Sequence, residues 1–276
     1  MNDPNAEIHT VDAFVGEGLA GNPAAVCPRK DWLTEDAMQA VAREMALSET
    51  AFFAPRYDGY LLRWFTPTTE ADLCGHATLA AAAIYFTHMD AGASAVRFYS
   101  LKAGPLAVTR DGDLLALDFP AQPAVRDNLH GLSAALGAEP VEVLRVAGTA
   151  CLAVFDSEDD VRGLTPDMAA LVALEDRKII VTAPGVKSDF VSRCFVPRAG
   201  IPEDPVTGSA HTTLVPYWAA RLGRANLHAI QVSRRGGELF CTNKGDRIVI
   251  AGRAAIRRSG TVYLGGATPR AELVEA

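Results

Sequence analysis

The chain has no long apolar run. Its most apolar helical stretch, Ala77–Phe86, is about half of the roughly 20 residues that a membrane span needs, so no membrane association is expected. The first residues, MNDPNAEIHT, have neither the basic start nor the apolar centre of a secretory leader. Positive charge is also in short supply: 26 Lys and Arg stand against 33 Asp and Glu, a net charge of -7. That balance argues against a generic nucleic-acid surface, and no run of like charge is long enough to act as an interaction tail. The 5 cysteines, Cys27, Cys74, Cys151, Cys194 and Cys241, form no CxxC pair and no zinc pattern, and an odd count suits a disulfide framework poorly. A reduced, cytoplasmic location is expected. The histidines are scattered, with no metal-ligand cluster, and no phosphate loop or Schiff-base lysine context is present. Gly16–Gly21, GEGLAG, lacks the spacing and the following helix of a dinucleotide fingerprint. The expectation is therefore no metal and no cofactor.

What is present is ordinary globular composition: 276 residues, 49% hydrophobic, enough for one large domain or two medium ones. Alternation predicts strands at Thr10–Val15, Ala24–Cys27, Glu49–Phe53, Tyr60–Phe65, Val96–Leu101, Leu106–Arg110 and Leu114–Phe119, the last pair joined by an Asp111-Gly112 turn. Thr34 is a fair N-cap for a helix through Ala46, with Glu35 and Asp36 where the helix dipole favours acids. A second helix is expected over Ala77–Phe86. Pro120–Asn128 is the best linker candidate. Beyond it strands are expected at Cys151–Phe155, Lys178–Thr182, Asp189–Phe195, Ala229–Arg234, Glu238–Thr242, Arg247–Ala251 and Val262–Leu264, a helix opening at Thr165-Pro166, and a long apolar helix over Gly208–Leu222. Strands outnumber helices, and each half owns one long helix that is apolar nearly all round. A sheet curled around a helix would account for that, in an α+β fold.

DLCGHATLAAAAIYF (Asp72–Phe86) and EDPVTGSAHTTLVPYWA (Glu203–Ala219) form a weak internal repeat. Each runs from an aspartate through a short turn to a glycine, a small or polar donor and a helix. Helix N-termini offer unpaired N–H groups and a positive dipole end, so they bind anions, and Gly75 and Gly208 would let backbone approach a ligand closely. The same pattern equally describes two ordinary capped helix starts.

VDAFVGEGLAGNPAAVC (Val11–Cys27), SETAFF (Ser48–Phe53), RWFTPTTEADLCGHATLAAA (Arg63–Ala82) and EDPVTGSAHTTLVPYW (Glu203–Trp218), taken in order, resemble the signature segments of the PhzF family of phenazine-biosynthesis isomerases and epimerases. The resemblance implies a fold like that of diaminopimelate epimerase: two pseudo-symmetric halves, each a curved sheet around a central helix, with the active site between them. The halves would be residues 1–120 and 121–276, although in that fold the last strand often returns to the first half. The family's catalytic glutamate falls on Glu49, its CGH segment on Cys74, Gly75 and His76, and its DPVTGS turn on Asp204, Thr207, Gly208 and Ser209. Glu49 would be general acid and base, with His76 and Asp204 beside it, and the remaining residues would bind substrate. The resemblance further implies a homodimer that needs no cofactor and moves a proton on a small carboxylic acid, trans-2,3-dihydro-3-hydroxyanthranilate being the namesake's substrate. An epimerase or racemase of a small acid, or a non-catalytic binder of one, are the alternatives.

The residues themselves suggest how such chemistry would run. A single carboxyl group can remove and return a proton if it reaches both carbons, and it works best with its pKa raised by partial burial. Glu49 opens an apolar strand that would supply burial, although a glutamate there is also an ordinary solvated strand end. Near a helix N-terminus Asp204 should stay ionised, either as a cap or orienting a hydroxyl or amino group, and His76 should be neutral. Ser209 offers a hydroxyl to a carboxylate or an ordinary cap. Related racemases use a cysteine on each face of the substrate. Cys74 has no partner in PVTGSA, so it is expected to be a small packed residue.

Overall fold

The computed structural model describes residues 5–146, 150–174, 178–264 and 269–276. The Gly75–Ile84 helix shows why the sequence around it reads as it does. Every residue from His76 to Ile84 is buried, and the helix packs on the strands Asn5–Val15, Asn22–Pro28 and Glu49–Arg56. A helix apolar all round has no face left for water, and the small side chains of Ala80–Ala83 let the surrounding backbone come close. The helix does not stop at Phe86 as its apolar run suggests. It widens into a π turn over Tyr85–Met89.

The chain divides into two compact units: Met1–Val15, Asn22–Asp118 and Ala251–Ala276 in one, Gly16–Gly21 and Phe119–Ile250 in the other. The division falls close to the proline-bearing stretch predicted as a linker. It differs from a simple cut after residue 120, because the segment from Ala251 belongs with the first unit. The physical reason is a single strand, Arg247–Tyr263, which pairs antiparallel with Asn5–Val15 from Arg253 to Tyr263 and with Arg270–Glu275 on its other side. Two separate strands were expected there. GRAAIRRSG breaks the apolar alternation, but the ladder with Asn5–Val15 continues through it, absorbing register shifts at Thr10/Val11 and Ala13/Val15. On the other side of the strand, Gly260 stands opposite Leu273 in the ladder with Arg270–Glu275. A Cβ there would overlap the Glu272 carbonyl oxygen, so Gly260→Ala is expected to cost about 1–3 kcal/mol and push Arg270–Glu275 off the sheet. Urea unfolding compared with the parent reads the cost directly.

Each unit repeats one order of strand pairing. In the first, Asn5–Val15 and Asn22–Pro28 are antiparallel, Asn22–Pro28 and Glu49–Arg56 parallel, Glu49–Arg56 and Gly59–Phe65 antiparallel, Gly59–Phe65 and Ala95–Ser100 parallel, and Ala95–Ser100 and Gly104–Asp111 antiparallel. The second repeats this with Glu142–Val146, Ala150–Val154, Lys178–Pro184, Phe190–Val196, Asn226–Gln231 and Gly237–Asn243. Parallel neighbours need a crossover. The second crossover of each unit carries the long helix, Gly75–Ile84 in one and Gly208–Leu222 in the other. The first carries Glu35–Met45 in one, capped by Thr34 Oγ1 on the Ala37 N–H at 3.3 Å, and the short helices Glu158–Gly163 and Met168–Ala173 in the other. The expected opening at Thr165-Pro166 moves to Met168, because the Asp167 carboxylate accepts from the Ala169 and Ala170 N–H groups.

The duplication reaches side chains. In one unit Arg63 forms a two-point ion pair with Glu70 and lies over the Phe65 ring. In the other, Arg193 does the same with Glu203 and Phe195. Each glutamate stands five residues before the glycine that opens the long helix. This aligns Cys74 with Thr207, Gly75 with Gly208 and His76 with Ser209, and both Cys74 and Thr207 are N-caps whose side chains make no cap hydrogen bond. The fold is α+β and diaminopimelate epimerase-like, with two pseudo-symmetric halves, each a curved sheet around a central helix. Among the described residues no helix is long and apolar enough to cross a membrane.

Candidate functional site

The first unit brings Glu49, Cys74, Gly75 and His76 together. Glu49 is the opening residue of its strand, registered beside Ala24 in a parallel pair. His76 is the second residue of the long helix and is buried. Its Nε2 lies 3.2 Å from Glu49 Oε2 and 3.3 Å from Ser48 Oγ. Its Nδ1 lies 3.3 Å from the Asn22 side-chain amide and 3.5 Å from Cys74 Sγ. The Glu49 side chain is 16% exposed, and its Oε2 has no aligned hydrogen-bond donor even though the imidazole is in ion-pair range. Ser48 and Asn22 are site residues that sequence reasoning missed. Both lie inside segments that the resemblance covers, but neither carries a chemistry that draws attention alone.

Two electrostatic expectations are corrected here. Glu49 was expected to have a raised pKa. Burial does push its carboxyl upward, but His76 beside it, helped by donors from Ser48 and Cys74, outweighs burial and holds the group below the ordinary carboxylate value. His76 was expected to be neutral. Burial opposes its charged form, yet Cys74 and Glu49 together hold it well above the ordinary imidazole value. Burial, then the charge of Glu49, pushes the Cys74 thiol up to about 11. A full charge at 3.2 Å prevails over the half-charge of a helix end. The resting pair is carboxylate and imidazolium. With a thiol of this kind Cys74 is no ready nucleophile.

The second unit brings Asp204, Thr207, Gly208 and Ser209 together at the start of Gly208–Leu222. Asp204 does not cap the helix. It accepts a 2.6 Å hydrogen bond from Thr207 Oγ1, and Thr207 occupies the cap position. Gln231, wholly buried, braces this turn: its Oε1 accepts from the Thr207 N–H at 2.8 Å and its Nε2 donates to the Asp204 carbonyl at 2.7 Å. Ser209 is not a cap either. Its hydroxyl accepts from Lys178 Nζ at 2.8 Å. Lys178 opens the strand that corresponds to the Glu49 strand, so Lys178–Ser209 is the counterpart of Glu49–His76. The repeated Arg-x-Phe and the matching glutamates, Arg63–Phe65 with Glu70 and Arg193–Phe195 with Glu203, are the sequence signal that would have exposed Lys178.

One helical turn further on, buried His211 directs Nδ1 at the Thr207 carbonyl, 2.9 Å away, and burial lowers its pKa to about 4. The unfolded chain, with the ordinary value of 6.5, takes up this proton first as pH falls. Stability contributed by neutral His211 is present above about pH 6.5 and is lost progressively toward pH 4, by about 3 kcal/mol in all. Urea unfolding across that interval is expected to show the loss, and His211→Asn, which keeps a donor near the Thr207 carbonyl, should flatten it.

The mixed fold of two like halves recurs in solved structures of epimerases and racemases. A hydroxyproline epimerase from Agrobacterium vitis shares it with a TM-score of 0.61 over 96% of this chain and 94% of that one, at 11% identity, a likeness of fold alone. Within that class the assignment is specific. Residues 11–260 match the phenazine biosynthesis-like protein family, PhzC-PhzF, and the chain belongs to it. An uncharacterized isomerase of Pseudomonas aeruginosa is 49% identical over 258 residues, covering 93% of this chain and 98% of the relative. Phenazine biosynthesis-like domain-containing protein 2 of Mus musculus is 40% identical over 283 residues, covering 92% and 98%. A phenazine biosynthesis protein of the PhzF family from Enterococcus faecalis superposes with a TM-score of 0.90 at 45% identity, covering 94% of this chain and all of that one.

Proposed function

We propose that the protein is an isomerase that moves a proton on a small carboxylic acid, with Glu49 as the group that takes and returns it. The carrying observation is the Glu49 Oε2 atom: largely buried, ionised, 3.2 Å from an imidazolium, and without an aligned donor. Such an oxygen has an unused lone pair to accept a proton.

Glu49 removes a proton from a carbon next to a carboxylate or double bond. The electron pair of the broken C–H bond spreads into the neighbouring unsaturated system. The positive His76 beside the base offsets the negative charge that builds there, a stabilisation that is strongest away from water. Glu49, now a carboxylic acid, delivers the same proton to another carbon of the system, and the double bond moves. Nothing is consumed or released. Asp204, Thr207, Gly208 and Ser209 are the proposed binding groups for the polar substituents of the acid, and trans-2,3-dihydro-3-hydroxyanthranilate is one substrate that fits this chemistry.

The test is proton exchange. The protein is incubated in deuterated water with small cyclic and amino-containing carboxylic acids, dihydrohydroxyanthranilate included, and carbon-bound hydrogens are followed by NMR. Exchange with movement of a double bond supports the isomerase. Scrambling of a stereocentre with no such movement would replace it with an epimerase.

A further inference from the structure

The sequence has no metal-ligand spacing, yet the fold assembles a metal-type donor set. Glu49, Cys74 and His76 each offer a ligand atom, and these atoms all lie within 4.8 Å of one another. They are chemically unlike: a carboxylate oxygen, an imidazole nitrogen and a sulfur. That mixture suits borderline-soft cations such as zinc and cadmium, and suits magnesium or calcium poorly.

The geometry can be compared with what zinc requires. With bonds of about 2.3 Å to sulfur and about 2.0–2.1 Å to nitrogen and oxygen, tetrahedral ligands stand roughly 3.4–3.6 Å apart. His76 Nε2 is 3.2 Å from Glu49 Oε2 and 3.9 Å from Cys74 Sγ, each within about half an ångström of that spacing. The other ring nitrogen, Nδ1, lies 3.3 Å from the Asn22 side-chain Nδ2, and with that amide turned so that Oδ1 faces the ring, Asn22 would accept the Nδ1–H in the way that a second shell fixes a ligating imidazole. The corresponding positions of the other unit, Lys178, Thr207 and Ser209, present an ammonium and two hydroxyls. The donor set therefore does not follow from the shared fold.

We propose that Glu49, Cys74 and His76 form a binding site for one thiophilic divalent cation, zinc or cadmium, and that its occupation switches the protein off. On binding, the Cys74 S–H and the His76 Nε2–H each release a proton to solvent as the sulfur–metal and nitrogen–metal bonds form. The Glu49 oxygen that accepts the substrate's proton becomes a ligand. A fourth position is left for water. The binding half stands on the donor geometry alone, and the switching half rests on the function proposed above.

The test uses the reduced, full-length protein titrated with cadmium. The ultraviolet charge-transfer absorption of a cadmium–thiolate bond is expected to grow to one equivalent, to vanish in Cys74→Ser, and to need about 10- to 100-fold more cadmium in Asn22→Ala. Zinc should displace the cadmium, and a chelator should restore the parent spectrum. Circular dichroism shows that each variant is folded. Absence of the band, or its persistence in Cys74→Ser through another buried cysteine, would overturn the site. Proton exchange is followed on the same samples. Loss of exchange in step with the band supports the switch, and unchanged exchange at full occupancy overturns it. If the band forms but no acid exchanges even without metal, the binding site stands and the catalytic reading is what has failed.

Discussion

Glu49→Gln is expected to lower turnover by about 10²- to 10⁴-fold while leaving the fold intact. The side chain keeps its shape and loses its charge, and with it both the capacity to take a proton and the ion pair with His76. The amide fills the same space as the carboxylate, so the packing is kept while His76 loses its charged partner. The effect should appear in kcat more than in KM, since the group acts on the reacting carbon rather than on the ends of the substrate. Steady-state kinetics on whichever acid exchanges, with a thermal melt beside it, reads both. Activity within tenfold of the parent would remove Glu49 from the reaction and direct attention to Asp204 and Cys74.

Trp218→Ala is expected to cost about 3–5 kcal/mol of stability. Trp218 lies in the Gly208–Leu222 helix and is 1% exposed. Its ring stacks on Phe190 at 5.7 Å with planes 4° apart, and its Nε1 donates to Thr182 Oγ1 at 3.0 Å. It thus ties the helix to two strands, Lys178–Pro184 and Phe190–Val196. Alanine leaves a cavity in a close-packed interior and removes an indole N–H from a buried hydroxyl. Trp218→Phe keeps most of the packing and gives up the hydrogen bond, so its cost should be nearer about 1 kcal/mol. Denaturant unfolding of both variants separates packing from hydrogen bonding, and equal costs for the two would contradict this assignment.

Much of the architecture is legible in the sequence because it depends on local chemistry. Thr34 with Glu35 and Asp36 marks a helix start, Asp111-Gly112 marks a hairpin, and the apolar stretches Ala77–Phe86 and Gly208–Leu222 mark the two long helices. What escaped is set by partners far along the chain. Arg253–Tyr263 reads poorly as a strand, and only its ladder with Asn5–Val15 makes it one. The site shows the same limit. Glu49 and His76 can be picked out as residues, but their charge states depend on standing 3.2 Å apart, which no spacing along the chain reveals. The dipole argument for a neutral His76 was sound for an isolated helix and gave the wrong sign beside a buried carboxylate. Lys178 was missed because a lysine at the head of an apolar strand is commonplace until the duplication shows that it corresponds to Glu49.

The return of Ala251–Ala276 to the first unit also sets an order on biosynthesis. Apart from Gly16–Gly21, the second unit is one continuous stretch, Phe119–Ile250, and a ribosome delivers it whole before the strand partner of Asn5–Val15 has been made. The nascent first unit must therefore wait with that edge open, and an open edge is what templates wrong pairing between chains. A messenger cut short between the codons of Ile250 and Arg253 would release a protein with its second unit complete and the sheet of the first unit unfinished. Such products should be recognised by chaperones and proteases through the bare Asn5–Val15 strand rather than through any defect near the long helices.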